Sequence, residues 1–545
     1  MPASSELRQR SSVVARLSGA PMDDEARLRQ LGYKQELTRE LSLLKNFAVS
    51  FGLLSMLTGL GGFYTYGFTH GGPVSVTWGW PLAVVMTLTV ALPMAEVCSA
   101  LPTSGGVYFW AGTLGGKRGP LFSWVTGWFN LLGQVGITAG VEYTVVMYLQ
   151  QVISIGRGEY YEFTQAQQFG LYCGFVILHG IANAISVKLL GFLSIFSVYW
   201  HVLGTLIVVI GLLAIAPTHQ SAHFVFATFE ANPSTGVHNP FYLFLLGLLM
   251  SQWAMTGYDT SAHIAEETKN AAMAGPVGLI MAICGSFICG WMFLLSLTFS
   301  IQDPATIVSP DTISGGYATS QIFMDAFYAR WGVTRPANAF MIILFVASNC
   351  RDDGIPGSRW WKRVNATTGT PVNSIIAMVC AAVVLGTSLL GSTVAFSAMS
   401  SIGVIGMYIS YGIPQVLRLT VARKWFKKGP FHLGRFSHVI GWIGVFWCCF
   451  ITVVFALPNY YPIDSQTLNY APVAVGVTLI FSLGWWAISA RKWFKGPVRN
   501  VDIAVKTACL AEAYQRGELD DGSENEAKLS DKAAPGEEEP ARLTV

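Results

Sequence analysis

The length, composition and charge of this chain are typical of a protein that crosses a membrane many times. It has 545 residues, of which 52% are hydrophobic and only 12% charged, and its mean hydropathy is +0.47. A soluble protein carries about 25% charged residues, so the composition excludes an ordinary soluble domain and favours a chain surrounded by lipid. A net charge of +3 is too small to indicate a nucleic-acid partner.

The two ends of the chain differ from its apolar middle. Residues 1–45 are polar and mix arginines with acidic residues, so they are predicted to form a cytoplasmic N-terminal tail. They contain no recognisable signal peptide, and the first apolar run is expected to direct its own insertion. Residues 500–545 include "GSENEAKLSDKAAPGEEEP" and are predicted to be a disordered acidic C-terminal tail. The transmembrane domain is therefore expected to be residues 46–499.

Twelve apolar runs in that domain predict an all-α polytopic fold with twelve transmembrane helices. The runs lie at 47–66, 81–101, 121–150, 169–188, 192–216, 241–262, 276–300, 337–349, 374–391, 395–416, 438–457 and 470–490. A membrane-crossing helix needs about 20 residues. The eighth run, "ANAFMIILFVASN", would span only roughly 20 Å as a helix, so that span is predicted to be truncated.

Basic residues are concentrated in alternate loops, which predicts the orientation of the chain. If the N-terminus is cytoplasmic, the loops on the opposite side hold only Arg157, Arg330 and Arg335. The positive-inside rule then favours twelve crossings with both termini in the cytoplasm. That number requires the eighth run to cross. Either it recruits flanking residues, or the sequence lacks a piece of this span.

The first span contains three glycines near its middle, in the segment "TGLGG". Gly59, Gly61 and Gly62 follow Thr58 closely. Glycine inside a span commonly serves close helix packing. Three glycines in four residues beside a threonine fit better with an unwound segment, which is tolerated at membrane depth where it lines a cavity. The bare backbone groups of such a segment, and the ends of the half-helices beside it, attract charged substrate groups.

The sixth span carries a matching interruption at "TGYD", residues 256–259. Interrupted spans at corresponding places of two five-span halves indicate the binding site of a secondary transporter. Asp259 has two interpretations. It is either a gate or substrate contact, since carboxylates are costly in lipid, or a solvated residue in the headgroup zone beside His263, Glu266 and Glu267.

Other polar groups in the spans are candidates for coupling. Glu96, late in span two, fits an ion pair and proton coupling equally well. Asn130, Gln134 and Glu142 lie near one face of span three, where helix–helix hydrogen bonding is the main alternative to a coupling role. The nine cysteines show no spacing typical of a metal site, and neither a metal nor a cofactor is expected.

Three longer stretches carry a family resemblance. They are "AEVCSALPTSGGVYFWAGTLGGKRGPLFSWVTGWFN", "TGYDTSAHIAEETKNAAMAGPVGLI" and "RDDGIPGSRWWKRVNATTGTPVNS". Over roughly residues 45–500 the chain resembles the amino acid/choline transporter branch of the amino acid–polyamine–organocation superfamily. That branch includes GABA and choline permeases and the plant bidirectional amino acid transporter. The resemblance implies a five-plus-five inverted-repeat fold that binds substrate at the unwound parts of spans one and six.

The resemblance also assigns roles by position. The backbone from Thr58 to Gly61 would bind the substrate carboxylate, and the backbone from Met255 to Gly257 the amino group. Trp253 would form an aromatic lid and Asp259 an acidic gate. The substrate-binding residues expected in this way are Thr58, Gly59, Leu60, Gly61, Gly62, Trp253, Met255, Thr256, Gly257 and Tyr258, with Asp259, Glu96 and Gln134 expected in gating or coupling.

The sequence departs from the family at the eighth span. Family members continue for about one and a half dozen residues where "FVASNC" here joins "RDDGIP" directly, with Cys350 at the junction. A short in-frame loss explains this departure most simply. It leaves the family resemblance unchanged. The resemblance implies that span eight packs beside the binding site, so a transport-inactive chain is the alternative to an active permease.

The favoured function is secondary active transport of amino acids such as GABA by alternating access, coupled to protons. A choline or polyamine permease is an alternative, as is a transport-inactive splice form or nutrient sensor. An enzyme is not expected, because no catalytic motif occurs in the spans. The partners expected are a small-molecule substrate, a proton and the lipid bilayer, with the plasma membrane favoured over organellar membranes.

Overall fold

The computed structural model describes residues 39, 41–54, 56–185, 187–349, 372–392 and 394–497. The first half contains helices α1 (Leu43–Leu54), α2 (Met56–Thr69), α3 (Gly72–Ala100), α4 (Gly106–Leu114), α5 (Gly119–Arg157), α6 (Gln165–Ile185), α7 (Val187–Ile215), α8 (Ala222–Ala227), α9 (Pro240–Ala254) and α10 (Thr260–His263). The second half contains α11 (Ala271–Phe299), α12 (Ala318–Trp331), α13 (Asn338–Asn349), α14 (Val372–Gly386), α15 (Ala395–Leu419), α16 (Ser437–Val454), α17 (Ala471–Trp485) and α18 (Arg491–Trp493).

Every predicted apolar run contains a helix in the structure. Within the described ranges, nine helical segments are long and apolar enough to cross a membrane, and the first of them comprises α1 and α2 together. Three predicted spans are not among the nine. Helix α9 has 15 residues and α13 has 12, while α5 is long, with 39 residues, but carries polar side chains such as Asn130 and Glu142.

Short elements connect the ends of these helices. Strand β1 (His70–Gly71) follows α2 and pairs antiparallel with β2 (Glu230–Ala231), which precedes α9. On the other side of the bundle, the chain before α1 is already attached, because the Leu41 amide donates to the Glu267 carbonyl at 2.9 Å. This contact lies upstream of residue 46, where the transmembrane domain is expected to begin.

The centre of the bundle is formed by helices that approach each other through glycines. A Cβ atom built on Gly136 of α5 would lie 2.5 Å from the amide nitrogen of Gly403 on α15. One built on Gly406 would lie 2.6 Å from the amide nitrogen of Gly133. Small residues allow such backbone contact, which favours helix association where lipid gives little hydrophobic drive. Helices α5 and α15 therefore form a close-packed pair beside α2 and α9.

The described part of span eight is helix α13, whose 12 residues rise about 18 Å. The hydrocarbon core is roughly 30 Å thick, and the residues that follow Asn349 lie outside the described ranges. The junction predicted at Cys350, and the "RDDGIP" motif after it, lie outside the described residues.

Candidate functional site

The predicted break in span six is confirmed. Helix α9 ends at Ala254, α10 begins at Thr260, and residues 255–259 between them form turns. Gly257 has φ +105°, a backbone conformation that residues with a Cβ atom rarely adopt. The interruption is therefore set by backbone conformation at one glycine, and it leaves all five turn residues buried or half-buried.

Three backbone amides of the turn have no hydrogen-bond acceptor in the part of the chain that the structure describes. The amides of Met255 and Thr256 donate to carbonyls of α9. By contrast, the amides of Gly257, Tyr258 and Asp259 donate to no acceptor among the described residues. Buried backbone groups are nearly always paired, so three adjacent amides without acceptors form a place where a ligand with hydrogen-bond acceptors can bind.

Aromatic and small residues from four helices meet beside this turn, and we call them the central site: Gly59, Phe63, Gly140, Trp253 and Phe396. Trp253, at the end of α9, is 2% exposed, and its ring lies 5.8 Å from the ring of Phe63. Phe63 in turn contacts Phe396 of α15 at 4.4 Å between ring centroids. A Cβ on Gly140 would lie 2.5 Å from the Trp253 indole, so α5 contributes a face that only glycine leaves open.

The predicted unwinding of span one at Thr58–Gly62 is wrong. All five residues, including Leu60, are helical within α2 and buried. The reason is steric. A Cβ on Gly59 would lie 3.1 Å from the Cβ of Ala254, one on Gly61 2.8 Å from the hydroxyl of Tyr148, and one on Gly62 2.9 Å from Cγ2 of Thr144. The glycines therefore give the helix a smooth face against α5 and α9.

The carbonyls of this helix receive additional hydrogen bonds. Tyr148 donates to the carbonyl of Thr58 at 3.0 Å. The carbonyl of Gly61 accepts from Thr319 at 2.7 Å and from Tyr317 at 3.2 Å, at the start of α12. These contacts attach α5 and the α11–α13 connection to the middle of span one. The glycine segment is therefore held by side-chain donors rather than left bare.

Asp259 is not solvated in a headgroup zone, because it is 1% exposed. Tyr411 of α15 donates to its Oδ1 at 2.6 Å, and Nε2 of His263 lies 3.2 Å from its Oδ2. A buried carboxylate needs such partners, because an unpaired charge is costly there. Asp259 therefore connects the break in span six to α15.

His263 extends this connection to the turn between α3 and α4. Its Nδ1 lies 3.1 Å from the Ser104 carbonyl oxygen, and its ring fills the space where a Cβ of Gly106 would be. Ser104 also donates its amide to Oε1 of Glu266 at 3.0 Å. The stretch Pro102–Trp110 thus packs directly on α10. Together these contacts close one end of the bundle beneath the break.

Glu96 forms an ion pair, which is one of the two roles that the sequence predicted for it; the other was proton coupling. Its Oε2 accepts from Arg418 at 2.8 Å and from Ser437 at 2.5 Å, and the carboxylate is fully buried. Arg418 also donates to the Ser437 hydroxyl at 2.7 Å. These contacts join α3, α15 and α16.

The polar side chains predicted to share one face of span three have different surroundings in the structure. Gln134 is half-buried, and its amide makes no hydrogen bond to another described residue. It lies six residues before Gly140, about 9 Å along the axis of α5, so it is not brought into the central site. Asn130 donates to Ser410 of α15 at 3.4 Å, and Glu142 pairs with His179 of α6.

Comparison with known proteins identifies the family. The family model described as "Amino acid permease" matches residues 41–480, most of the chain. The chain belongs to the amino acid permease family. This confirms the resemblance to the amino acid–polyamine–organocation superfamily and its multi-span helical transporter fold. The permease is an integral multi-pass membrane protein whose family transports amino acids across a membrane, and it is not an enzyme.

Individual relatives agree with this assignment. The permease is 41% identical over 510 residues to the amino-acid permease BAT1 homolog of Oryza sativa subsp. japonica, covering 90% of this chain and 98% of the relative. It is 40% identical to amino-acid permease BAT1 of Arabidopsis thaliana, covering 88% and 96%. The GABA-specific permease of Saccharomyces cerevisiae is 27% identical, with 88% and 86% covered.

The rice alignment also bears on the short eighth span. It runs over 510 positions but includes 90% of the 545 residues of the permease, so some residues of the rice protein have no counterpart here. A shortened span is consistent with such a gap.

Several partners in the site were not found by sequence reasoning. Tyr411, Tyr148 and His179 each bond a predicted residue or its backbone, yet each lies far from that residue in the chain. The only signal available was a polar or titratable side chain on an otherwise apolar helix. That signal is typical of a functional contact but does not name the partner.

Proposed function

We propose that this permease is a secondary active transporter of small amino acids such as GABA, which moves substrate by alternating access with a proton. The observation that carries the proposal is the group of three amides at Gly257, Tyr258 and Asp259, which are buried or half-buried beside the central site and have no acceptor among the described residues. An amino acid offers a carboxylate to such amides. The neighbouring turn from Met255 to Thr256 offers carbonyl oxygens to its amino group.

The remaining contacts supply walls and a gate. In this proposal the α2 segment Thr58–Gly62 forms a close wall, and Trp253 covers the substrate. Asp259 closes the route below it through Tyr411 and His263. Opening requires those contacts to separate, so substrate binding at the adjacent turn can favour one state over the other.

We also propose the orientation and the membrane. The basic loops support cytoplasmic termini, which makes the Asp259 end the cytoplasmic gate. The plasma membrane is the proposed location. Glu96, held by Arg418 and Ser437, is proposed to keep α3, α15 and α16 together at the same end rather than to carry the proton. Gln134 is proposed to act on coupling only through α5, since it lies outside the central site.

Reconstitution tests the proposal. Purified permease in proteoliposomes is given radiolabelled GABA, alanine, arginine or glutamate, with and without an acidic outside medium. We expect saturable uptake of at least one of them, stimulated by the pH gradient. The matched control is the Gly257→Val variant in vesicles with equal protein content. If neither uptake nor exchange of any of these compounds occurs, the proposal is contradicted.

An amine permease is a second candidate, favoured by the aromatic side chains of the central site. Phe63, Trp253 and Phe396 can surround a quaternary or primary ammonium group through cation–π contacts. Choline and spermidine are therefore included in the same assay. Uptake of either compound that is blocked by excess choline, but not by GABA, would select this candidate.

A transport-inactive splice form or nutrient sensor is a third candidate, favoured by the short eighth apolar run of the sequence. Leu344 of α13 contacts the Gly61 position, so this helix borders the glycine segment. Binding of GABA or alanine without exchange would select this candidate. Uptake regained on insertion of the missing residues after Asn349, taken from the rice protein, would assign the defect to span eight.

A further inference from the structure

A short basic and aromatic motif occurs twice in the chain, each time at the C-terminal end of a candidate membrane span. The first copy, "ARKWFKKGP", begins at Ala422, three residues after the end of α15. The second copy, "ARKWFKGP", begins at Ala490, directly before α18. Neither copy contains an acidic residue. None of the contacts proposed above for substrate binding or gating involves them.

The two copies have the same local structure. The amide of Phe426 donates to the carbonyl of Ala422 at 2.8 Å, which forms one helical turn. The amide of Phe494 donates to the carbonyl of Ala490 at the same distance. In both copies the alanine is buried and the phenylalanine is half-buried. The basic side chains of both copies are exposed: Arg423, Lys424, Lys427, Arg491, Lys492 and Lys495.

The two phenylalanines attach these turns to the bundle. The guanidinium carbon of Arg418 lies 4.6 Å from the centre of the Phe426 ring, and Arg418 is itself paired with Glu96. The ring of Trp124, on α5, lies 5.2 Å from the ring of Phe494. Each turn therefore has an inner side chain in contact with a transmembrane helix, and the exposed side chains have a defined position.

A tryptophan accompanies the basic side chains in both copies. Trp425 is 48% exposed and Trp493 is 57% exposed. Exposed tryptophans at the ends of membrane spans lie at the level of the lipid headgroups. Lysine and arginine beside them extend their apolar stems along the membrane and place their charges in the polar layer. Each copy therefore presents an aromatic ring and three positive charges at headgroup level.

The connection between α4 and α5 lies against both copies. A Cβ atom built on Gly116 would lie 3.7 Å from Cγ1 of Val421, directly before the first copy. One built on Gly112 would lie 2.7 Å from Cδ of Pro497, at the end of the second copy. The connection adds two exposed basic residues, Lys117 and Arg118. We call the three segments the basic face: residues 112–120, 422–430 and 490–497.

The basic face differs from the other end of the bundle. There Arg157 pairs with Glu159 at 3.3 Å, and Arg330 follows Asp325 by five residues. An orientation signal requires only an excess of positive charge on one side of the membrane. It requires neither a repeated order of arginine, lysine, tryptophan and phenylalanine nor the same exposure in both copies. The repeat therefore indicates a binding surface in addition to an orientation signal.

We propose that the basic face binds the phosphate-containing headgroups of anionic phospholipids in the adjacent leaflet. Clusters of about four to eight lysines and arginines beside a span attract such lipids. Guanidinium groups donate two parallel hydrogen bonds to phosphate oxygens, and ammonium groups act as point charges. The proposed orientation of the permease places this face at the cytoplasmic leaflet, which carries the negative surface potential.

Lipid retention by the purified full-length permease tests the proposal without a transport assay. The protein is incubated in detergent micelles with fluorescent phosphatidylserine or phosphatidylcholine, recovered by affinity chromatography, and the bound lipid is measured per protein. Each basic side chain near an anionic surface changes affinity about fivefold, so we expect wild type to retain roughly tenfold more phosphatidylserine than phosphatidylcholine.

Removal of charge from the motifs should remove this preference. In the double variant Arg423→Gln/Lys424→Gln, the ratio of the two retained lipids should fall about fivefold. Addition of Arg491→Gln and Lys492→Gln should make the retention of the two lipids equal. All four side chains are exposed, so the variants are expected to fold, and their elution as single species in gel filtration checks this.

Two matched variants separate a site from a general effect of charge. Arg330→Gln/Arg335→Gln removes two exposed charges from the other end of the bundle, and the ratio should stay within about twofold of wild type. Arg423→Lys/Lys424→Arg keeps the charge of the first copy and should also preserve the ratio. A loss in the Arg330 and Arg335 variant equal to that in the Arg423 and Lys424 variant would overturn the proposal.

The remaining outcomes also decide the proposal. Equal retention of the two lipids by wild type overturns it, as does a wild-type ratio in the variant that lacks all four motif charges. Inorganic phosphate at the concentration of the lipid should not displace phosphatidylserine, because phosphate has no acyl chains for the tryptophans to contact. Displacement would assign the face to a free anion. Lipid retention and uptake are measured separately, so failure of one leaves the other unaffected.

Discussion

The glycine segment of α2 and the turn after α9 face each other, but their glycines have different structural roles. In α2 the backbone is helical, and Cβ atoms at Gly59, Gly61 and Gly62 would each meet a neighbour at about 3 Å. In the turn, Gly257 has φ +105°, and a Cβ there would have no atom within 4 Å. One set of glycines makes room for other helices, and the other allows a conformation that interrupts a helix.

This difference explains where polar backbone groups are free. The α2 segment keeps its helical hydrogen bonds, and its carbonyls at Thr58 and Gly61 accept additional hydroxyl donors. The turn gives up helical bonding over several residues and keeps Asp259 beside it in contact with Tyr411. Glycine in a membrane helix therefore marks either close packing or an irregular backbone, and its neighbours in space decide which.

The largest expected effect is that of Gly257→Val. A β-branched residue at φ +105° is strained whatever the available space, so we expect a loss of about 2 to 3 kcal/mol in the free energy of unfolding. Uptake should be abolished while protein still reaches the membrane. Chemical denaturation in mixed detergent micelles and vesicle uptake measure the two effects. Uptake equal to wild type would contradict the role of the turn.

The Gly62→Ala variant tests whether the α2 glycines allow close helix packing. The added methyl would lie 2.9 Å from Cγ2 of Thr144, and overpacking of this kind costs about 2 kcal/mol. The double variant Gly62→Ala/Thr144→Ser removes that methyl group but keeps a hydroxyl, so most of the lost free energy of unfolding should return.

A matched control for Gly62→Ala is Gly174→Ala on α6, where no atom lies within 4 Å of the new Cβ. It should be neutral or stabilise by up to about 1 kcal/mol, since alanine is the better helix former. If serine at position 144 fails to rescue Gly62→Ala, the steric explanation of the α2 glycines is wrong.

Tyr411→Phe tests the charged contact beside the turn. Removing the hydroxyl takes one donor from the buried Asp259 carboxylate, and hydrogen bonds to charged groups contribute about 1.5 kcal/mol or more. Tyr64→Phe is the comparison on α2, because that tyrosine bonds the neutral hydroxyl of Thr298 at 2.9 Å. Denaturation should show the larger loss for Tyr411→Phe. Equal losses would contradict a special role for the Asp259 contact.

The smallest expected effect concerns Asp325 on α12, the helix whose first residues bond Gly61. This helix is not among the candidate membrane spans. Burial raises the pKa of the Asp325 carboxyl from 3.8 to about 6, although Gln321 donates to its Oδ1 at 2.7 Å and lowers the pKa in part. The folded protein therefore holds a proton that the unfolded chain releases. The free energy of unfolding decreases as pH rises from 3.8 to about 6.

Asp325→Asn should remove this pH dependence. After allowance for solvent screening, we expect the free energy of unfolding at pH 7.5 to increase by about 1 kcal/mol, with no gain near pH 4. Denaturation curves at the two pH values measure it. A variant with the same pH dependence as wild type would show that another group titrates in this interval.

Sequence patterns predicted some features of the site because those features are local. The break at Thr256–Gly257 was predictable from a glycine beside polar residues inside an apolar run, and the structure has it. The same pattern at Thr58–Gly62 gave the wrong local structure. The distinguishing information lies in Ala254, Tyr148 and Thr144, which approach α2 from other helices, and a single sequence does not pair them with the glycines.

What the sequence determined by itself is the membrane class, the helical runs, the short eighth span and the family. These follow from composition, from runs of about 20 apolar residues and from long motifs. Only the tertiary structure decided that Asp259 is buried against Tyr411, that Glu96 pairs with Arg418 and that Glu142 pairs with His179. The reason is physical: the cost of a buried charge is set by its neighbours in space, and helix packing brings those neighbours from distant parts of the chain.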